Sequence, residues 1–173
     1  MFMILKKCSL WNVAEIFFLE PTKVHFIKEI SRKISLAPTS VKVHIQTLVK
    51  EGLVEETNSE IFKGYRAIRE NPEFIFHKKI ANLVLIKNSG LIEELKEKYP
   101  KSIILFGSYD KGEDIETSDI DIFIDSKEFK INPEKYEKYL KRKLHLIFRA
   151  EVGKSLVESI DQGVILFGQR LRK

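Results

Sequence analysis

The sequence predicts an α+β protein made of a helical N-terminal part with a short hairpin, followed by a small α/β part with a mixed sheet. Two observations support this division. Helical periodicity, with apolar residues three and four positions apart, dominates up to about residue 70. Beyond Tyr99 and Pro100, short strand-like segments alternate with helical ones. We therefore expect a first domain at residues 1–70, a linker helix at 71–90 and a second domain at 91–173.

The composition is that of a globular protein with a mild basic excess. The 173 residues are 43% hydrophobic, and 30 Lys and Arg against 25 Asp and Glu give a net charge of +5. This excess is compatible with phosphate-bearing partners but does not identify one. The single cysteine, Cys8, excludes a disulfide framework. The sequence shows neither a secretory signal nor an apolar run long enough to cross a membrane, so we expect a cytoplasmic protein without a membrane partner.

Capping residues and prolines place the first elements of the chain. Ser9 and Thr22 are expected to cap two helices that end near residues 20 and 33. Pro38 favours the first position of a third helix, because its missing N–H would be unpaired there. Gly52 favours the C-terminal cap of that helix. A hairpin is expected at residues 53–57 and 61–67.

A longer helix is expected at residues 72–87. Its predicted inner face consists of Phe76, Ile80, Leu83 and Val84. Because this face is broader than an exposed linker needs, we expect it to pack between domains or against a second copy. The remaining helices are expected at residues 91–99, 133–140 and 155–162, and the strands at 102–106, 119–125, 143–148 and 164–167.

The third helix combines an apolar stripe with a polar face. Val41, Ile45 and Leu48 recur at i, i+4 and i+7 and form the stripe. Three helices, a glycine cap and a hairpin resemble a winged helix-turn-helix domain, and residues 36–54 resemble its recognition helix. The resemblance implies that the domain binds double-stranded DNA. It also implies a homodimer, since DNA-binding domains of this kind commonly bind paired half-sites. The side chains expected to contact the DNA are Thr39, Ser40, Lys42, Val43, Gln46, Lys50, Lys63 and Arg66.

Acidic residues near the same surface support an alternative. Glu51, Glu55 and Glu56 lie at the helix end and on the hairpin, where they would oppose DNA phosphates. The alternative to DNA binding is therefore a domain of this kind that mediates only protein contacts. His44 lies beside the buried stripe and is expected to be packed rather than to contact a base.

A glycine–serine pair and two aspartates form the second candidate site. Gly107 and Ser108 follow a predicted buried strand, and Asp119-Ile120-Asp121 comes about ten residues later, inside another predicted strand. A glycine lets the backbone approach a polyphosphate closely, and a serine adds phosphate-binding groups. Carboxylates at i and i+2 of a strand project from one face, about 6.6 Å apart. Both can then converge on divalent cations.

This pattern resembles the nucleotidyltransferase superfamily related to DNA polymerase beta, and especially its minimal archaeal and bacterial members. The resemblance begins near Leu91 and rests on residues 107–112, 118–122 and 160–168. It implies transfer of a nucleoside monophosphate from an NTP, expected to be ATP, to an acceptor hydroxyl, with Mg²⁺ or Mn²⁺ as cofactor. An archaeal type of protein is expected.

The resemblance also implies roles for individual residues. Gly107 and Ser108 would bind the triphosphate, and Asp119 and Asp121 the metals. Lys111 stands where family members often carry arginine. It either neutralises phosphate charge, without the bidentate fork of arginine, or is an ordinary loop lysine.

The sequence departs from this family at the third carboxylate, which active members usually carry on the next strand. The residue expected to face the two aspartates is His145, a poor Mg²⁺ ligand that suits softer metals and can act as a general base. One hypothesis is therefore an enzyme with Asp119, Asp121 and His145 as catalytic residues. Another is a non-catalytic nucleotide sensor that controls DNA binding. A third is an antitoxin-type transferase with a separate helical toxin as partner.

Overall fold

A computed structural model describes residues 7–58 and 63–170 of the chain. The contacts divide the chain between Ala81 and Asn82 into two compact units. Within the described ranges, no helix is both long enough and apolar enough to cross a membrane. The turn that joins the two strands of the expected hairpin, and the start of its second strand at residues 61 and 62, fall largely outside these ranges.

Among its described residues, the N-terminal unit contains three helices and an antiparallel pair of strands. Helix α4 starts in this unit and continues beyond it. In chain order the elements are α1 (Ser9–Leu19), α2 (Ile27–Ile34), α3 (Pro38–Lys50), β1 (Val54–Asn58), β2 (Lys63–Ala67) and α4 (Pro72–Ser89). The strands pair with Val54 opposite Ala67. A further bridge joins His25 to Tyr65 on β2, through two backbone hydrogen bonds of 2.8 and 2.9 Å.

The core of this unit forms where α1 and α3 face each other and the hairpin. The predicted stripe of Val41, Ile45 and Leu48 is buried. Pro38 opens α3 as predicted, and Gly52, at φ +70°, follows the helix in the left-handed conformation. The other buried members of this core are Val13, Ala14, Phe17, Phe18, Ile30, Leu53, Val54, Tyr65, Ala67, Phe74 and Ala81.

Two predicted helix caps are wrong. Ser9 is already the first residue of α1, and its Oγ lies 2.8 Å from Nε2 of His44, which is half-buried. Helix α2 begins at Ile27 rather than after Thr22. The physical reason is tertiary: the chain before α2 is extended, because His25 pairs with β2 and places its Nε2 3.0 Å from the Glu20 carbonyl.

The predicted inner face of helix α4 is confirmed at Val84, which is buried, but it is wrong at Phe76; Ile80 and Leu83 are half-buried. Phe76 is 58% exposed, whereas Phe74 is buried and its ring centre lies 5.2 Å from that of Phe18. Lys78 is also buried, and its Nζ donates to the Phe18 carbonyl over 2.8 Å. The prediction failed because Lys78 counts as polar in a hydrophobic pattern, although an ammonium bonded to a carbonyl can be buried.

The C-terminal unit is a mixed four-stranded sheet with helices, as predicted. Strand β3 lies in the interior and pairs antiparallel with β4 and β6, while β4 pairs parallel with β5. The strand order is β5-β4-β3-β6. The elements are α5 (Leu91–Lys96), β3 (Ser102–Phe106), α6 (Gly107–Lys111), β4 (Ile120–Ile124), α7 (Glu134–Leu140), β5 (Leu144–Phe148), a 3-10 turn (Arg149–Glu151), α8 (Lys154–Gln162) and β6 (Val164–Gly168).

One face of this sheet is apolar in its middle and polar at both ends. Ile104, Phe106, Phe123 and Ile147 form its buried cluster together with Ile160 of α8. Because side chains alternate along a strand, Asp121 and Asp125 lie on the same face as Phe123, at opposite ends. The sheet therefore presents two separate polar sites on one face.

Candidate active site

Strand register brings three of the predicted site residues to one end of the sheet. In the antiparallel pair, Phe106 lies opposite Asp121, so Gly107 follows directly beside the aspartate. In the parallel pair, Asp121 lies opposite His145. The prediction that His145 faces the aspartates therefore holds for Asp121.

The backbone at Gly107 leaves room only for glycine. Its φ is +78°, in the left-handed region that side chains disfavour. A Cβ at this position would lie 2.6 Å from Oδ2 of Asp121, closer than any normal contact. The missing side chain thus allows the Asp121 carboxylate to lie against the backbone that begins α6. Ser108, the next residue, is half-buried and starts the turn that returns at Glu113, whose N–H donates to the Ser108 carbonyl over 3.0 Å.

Asp121 has neighbours on both of its carboxylate oxygens. Oδ1 lies 2.9 Å from Nδ1 of His145, and Oδ2 faces Gly107. The Asp121 side chain is 27% exposed and that of His145 61% exposed. The imidazole is therefore accessible to a ligand while it is oriented by the carboxylate.

Asp119 lies in the loop before β4 rather than inside the strand as predicted. The strand begins one residue later, at Ile120, whose N–H donates to the Lys143 carbonyl over 2.8 Å. Asp119 itself is exposed. A tight turn precedes it, in which Ser118 and Ile115 exchange two hydrogen bonds of 3.0 Å. Asp119 therefore lies two residues before Asp121, in a loop and not in the strand.

A buried polar network, missed by the sequence analysis, supports this loop. Nδ2 of Asn82 donates to the Tyr109 carbonyl over 2.8 Å and to Asp114 over 2.7 Å. Arg142 lies 3.4 Å from the other oxygen of Asp114, and all three polar side chains are buried. The network connects α4, α6 and the start of β5. In the sequence Asn82 stands alone among apolar residues, and only its buried partners show its role.

Glu137 organises the beginning of β5. The backbone N–H of Leu144 and the ammonium of Lys143 both donate to its carboxylate, over 3.0 Å each. These contacts hold the pKa of Glu137 below its ordinary value, with the Leu144 N–H as the larger cause. The same contact with Glu137 raises the pKa of Lys143. Glu137 therefore remains ionised and helps to position the strand that carries His145.

The donor set fits a divalent cation. Asp119 and Asp121 offer carboxylate oxygens and His145 offers an imidazole nitrogen, a combination that suits Mn²⁺ better than Mg²⁺. Across residues 7–58 and 63–170, however, the ligand atoms of these three do not converge within 4.8 Å; those of Glu20, His25 and Glu29 do. In this arrangement the three residues cannot all bind one cation at normal ligand distances.

The group formed by Glu20, His25 and Glu29 already holds a cation of the chain itself. Nζ of Lys33 lies 2.6 Å from Glu20 and 2.8 Å from Glu29. Burial raises the pKa of Glu20, but the hydrogen bonds from Lys23 and Lys33 outweigh it and lower the pKa to about 2. This cluster is an ion-pair network of the N-terminal unit, separate from the candidate active site.

The remaining predicted residues lie on exposed surfaces. Lys111 ends α6 and has no ion-pair partner within the described part of the chain. On α3, Ser40 is half-buried, and the exposed residues are Thr39, Lys42, Val43, Gln46 and Lys50. On the hairpin, Lys63 pairs with Glu56 at 2.6 Å and Arg66 with Glu55 at 2.5 Å.

Comparison with known proteins found a family model that is similar to most of the C-terminal unit. Residues 89–168 match the family model described as "Nucleotidyltransferase domain". This part of the chain, which includes Gly107, Asp121 and His145, is therefore similar to nucleotidyltransferase domains.

Two relatives come from the archaeon Methanocaldococcus jannaschii. Over 34 residues, 19% of this chain, the sequence is 68% identical to "Putative protein adenylyltransferase MJ0126" and covers 35% of its length. It is 62% identical over 34 residues to the similarly named MJ1215 and covers 40% of its length. The match thus spans well under half of each relative. No solved structure was found to match the chain.

Proposed function

We propose that the C-terminal domain transfers AMP from ATP to a hydroxyl group of a protein. The observation that carries this proposal is the packing of the Asp121 carboxylate against Gly107, with His145 at 2.9 Å on its other side. It joins a backbone turn suited to phosphates to a carboxylate suited to a metal. The choice of AMP and of a protein acceptor follows the names of the two relatives.

The proposed reaction replaces one bond at the α-phosphorus of ATP. The acceptor oxygen bonds to this phosphorus, the bond to the β-phosphate oxygen breaks, and pyrophosphate leaves. The hydroxyl proton passes to a base, a role for which the exposed His145 imidazole, oriented by Asp121, is placed. A divalent cation held by Asp119 and Asp121 would neutralise charge on the phosphates.

A transfer assay tests this function. The full chain is incubated with each α-labelled NTP in Mg²⁺ or Mn²⁺, with and without candidate protein acceptors, including a helical toxin-type protein. We expect label on protein with ATP and little with the other nucleotides. Absence of transfer with every nucleotide and both metals would contradict the proposal.

One observation favours a second candidate function, a non-catalytic nucleotide sensor. His145 occupies the register position opposite Asp121, where a third carboxylate is expected in active members of the superfamily. Calorimetry distinguishes the two functions. Metal-dependent nucleotide binding without any transfer would support the sensor, whereas transfer supports the enzyme.

The metal preference should change when His145 is replaced by a carboxylate. His145→Asp is expected to raise the ratio of transfer in Mg²⁺ to transfer in Mn²⁺ about tenfold, because Mg²⁺ prefers oxygen ligands. If the domain is a sensor, the same change is expected in the ratio of nucleotide binding. The matched control is His145→Asn, because asparagine has nearly the same shape as aspartate but carries no charge. An unchanged Mg²⁺-to-Mn²⁺ ratio in both variants would show that His145 does not select the metal.

For the N-terminal unit, we propose a winged helix-turn-helix domain that binds double-stranded DNA. Three helices followed by an antiparallel hairpin support it, as does the exposed face of α3 with Lys42, Gln46 and Lys50. The hairpin cations Lys63 and Arg66 are paired with glutamates, so the helix should contribute more of the phosphate contacts.

Neutralising the α3 lysines should weaken DNA binding more than neutralising the hairpin cations. Lys42→Ala with Lys50→Ala is expected to lower the affinity for DNA at least about tenfold. The salt dependence of binding is expected to fall by an amount that corresponds to about two fewer released counterions. Lys63→Ala with Arg66→Ala should have a smaller effect. Electrophoretic shifts at two salt concentrations measure this, with Lys127→Ala and Lys130→Ala in the other unit as the charge-matched control.

The wild-type chain decides whether the DNA proposal stands. If it does not shift any duplex at low salt, the N-terminal unit does not bind DNA, and a role in protein contacts replaces the proposal.

A further inference from the structure

A cleft of about 510 Å³ lies at the end of the sheet opposite to Gly107 and His145. It belongs to the same sheet face as the candidate active site. Since Asp121 and Asp125 are four strand residues apart, the two polar ends are separated by about 13 Å, with the apolar side chains of Phe123 and Ile104 between them. The side chains that line the cleft include Lys101, Ser102, Asp125, Arg149, Gln169 and Arg170.

Positive charge exceeds negative charge in this cleft. Asp125 is buried, and Nη1 of Arg149 donates to both of its oxygens over 2.8 Å. The Arg149 side chain is nevertheless 58% exposed, so the rest of its guanidinium edge is accessible. Arg170 donates to the carbonyl of Asp161, a neutral acceptor. Among the described residues no carboxylate pairs with Lys101 or Arg170, so one aspartate faces three cations.

A buried hydroxyl adds an independent sign of a ligand. Ser102 is 2% exposed, and its Oγ has no hydrogen-bond partner among the described residues. The backbone is paired at this point, since the N–H of Asp125 donates to the Ser102 carbonyl over 2.9 Å. Buried polar atoms normally have a partner, and a hydroxyl lining a cation-rich cleft can donate to an anion.

We propose that this cleft binds the phosphate groups of a small anionic ligand, pyrophosphate or a nucleoside polyphosphate, without the help of a metal ion. Guanidinium and ammonium groups are the charged donors that proteins use for phosphate oxygens. The cleft volume lies in the range of small-ligand sites. The acidic end of the sheet, by contrast, needs a divalent cation before it can accept a phosphate. The two sites therefore differ in their requirement for metal.

Titration in EDTA isolates the cleft from the candidate active site. The full chain is titrated with pyrophosphate and, separately, with ATP, and binding is followed by calorimetry and by backbone amide NMR shifts. We expect shifts at residues 101–102, 125, 149 and 168–170, and none at 107–108 or 119–121. Tighter binding of ATP would identify a nucleotide ligand, and equal or tighter binding of pyrophosphate would identify the diphosphate alone.

Charge reversal at one exposed residue provides the decisive comparison. Lys101→Glu is expected to weaken binding at least about tenfold, whereas Lys130→Glu, the same charge change at an exposed residue outside the cleft, should leave it within twofold. Ser102→Ala should weaken binding severalfold. Equal effects of the two charge reversals, shifts confined to residues 107–121, or binding of duplex DNA but of neither small phosphate would overturn the proposal.

Discussion

Gly107→Ala is expected to abolish nucleotidyl transfer, with kcat/KM lowered at least about 100-fold. The new Cβ would lie 2.6 Å from Oδ2 of Asp121, so either the carboxylate or the turn into α6 must move. In addition, alanine at φ +78° strains the backbone by about 1–3 kcal/mol. The measurement is the transfer assay, together with calorimetry of nucleotide binding.

Gly90 offers a closely matched control for this variant. It has the same φ of +78°, but a Cβ built there meets nothing within 4 Å. Gly90→Ala should therefore lose a similar amount of stability and keep its transfer activity. If both variants lose activity equally, backbone strain rather than the contact with Asp121 explains the loss.

Asp121→Asn is expected to reduce transfer about 1,000-fold while the fold is retained. The substitution keeps the shape that fits against Gly107 but removes the charge that a divalent cation and the His145 imidazole require. Electrostatic stabilisation by a bound metal contributes several kcal/mol to such reactions, which corresponds to this factor. Initial rates of label transfer measure the effect.

The control for Asp121→Asn is Glu158→Gln, which removes one carboxylate charge from an exposed position on α8. This variant should transfer at the wild-type rate, and both variants should unfold within a few degrees of the wild-type temperature. Transfer by Asp121→Asn above a tenth of the wild-type rate would show that the carboxylate is not essential. Loss of metal-dependent nucleotide binding in this variant is expected for the enzyme and the sensor alike.

The sequence patterns correctly predicted the features that depend only on residues close together in the chain. The stripe of Val41, Ile45 and Leu48 is buried as expected, because the helical repeat alone brings these residues to one side. Pro38 and Gly52 bound the third helix for reasons contained in their own backbone geometry. Strand β3 was predicted as buried, and each of its five residues is buried.

At other positions, contacts with residues distant in the sequence produced a structure different from the one that the local pattern predicted. Ser9 contacts His44 instead of capping a helix, and the segment around His25 pairs with β2 instead of starting α2. On α4, the ring of Phe18 selects Phe74 rather than Phe76 for burial. The pattern within one segment does not show which distant side chain will contact that segment in the folded protein.

The sequence by itself determined the chemical groups of this protein: a glycine and a serine after a buried strand, two aspartates two residues apart, and a histidine on the next strand. The tertiary structure decided how they meet. Antiparallel register places Gly107 against Asp121, parallel register places His145 beside it, and Asp119 remains in the loop. At the other end of the sheet, the same register allows Asp125 to accept a hydrogen bond from Arg149. Strand pairing made these choices, because a shift of one residue would turn every side chain to the opposite face.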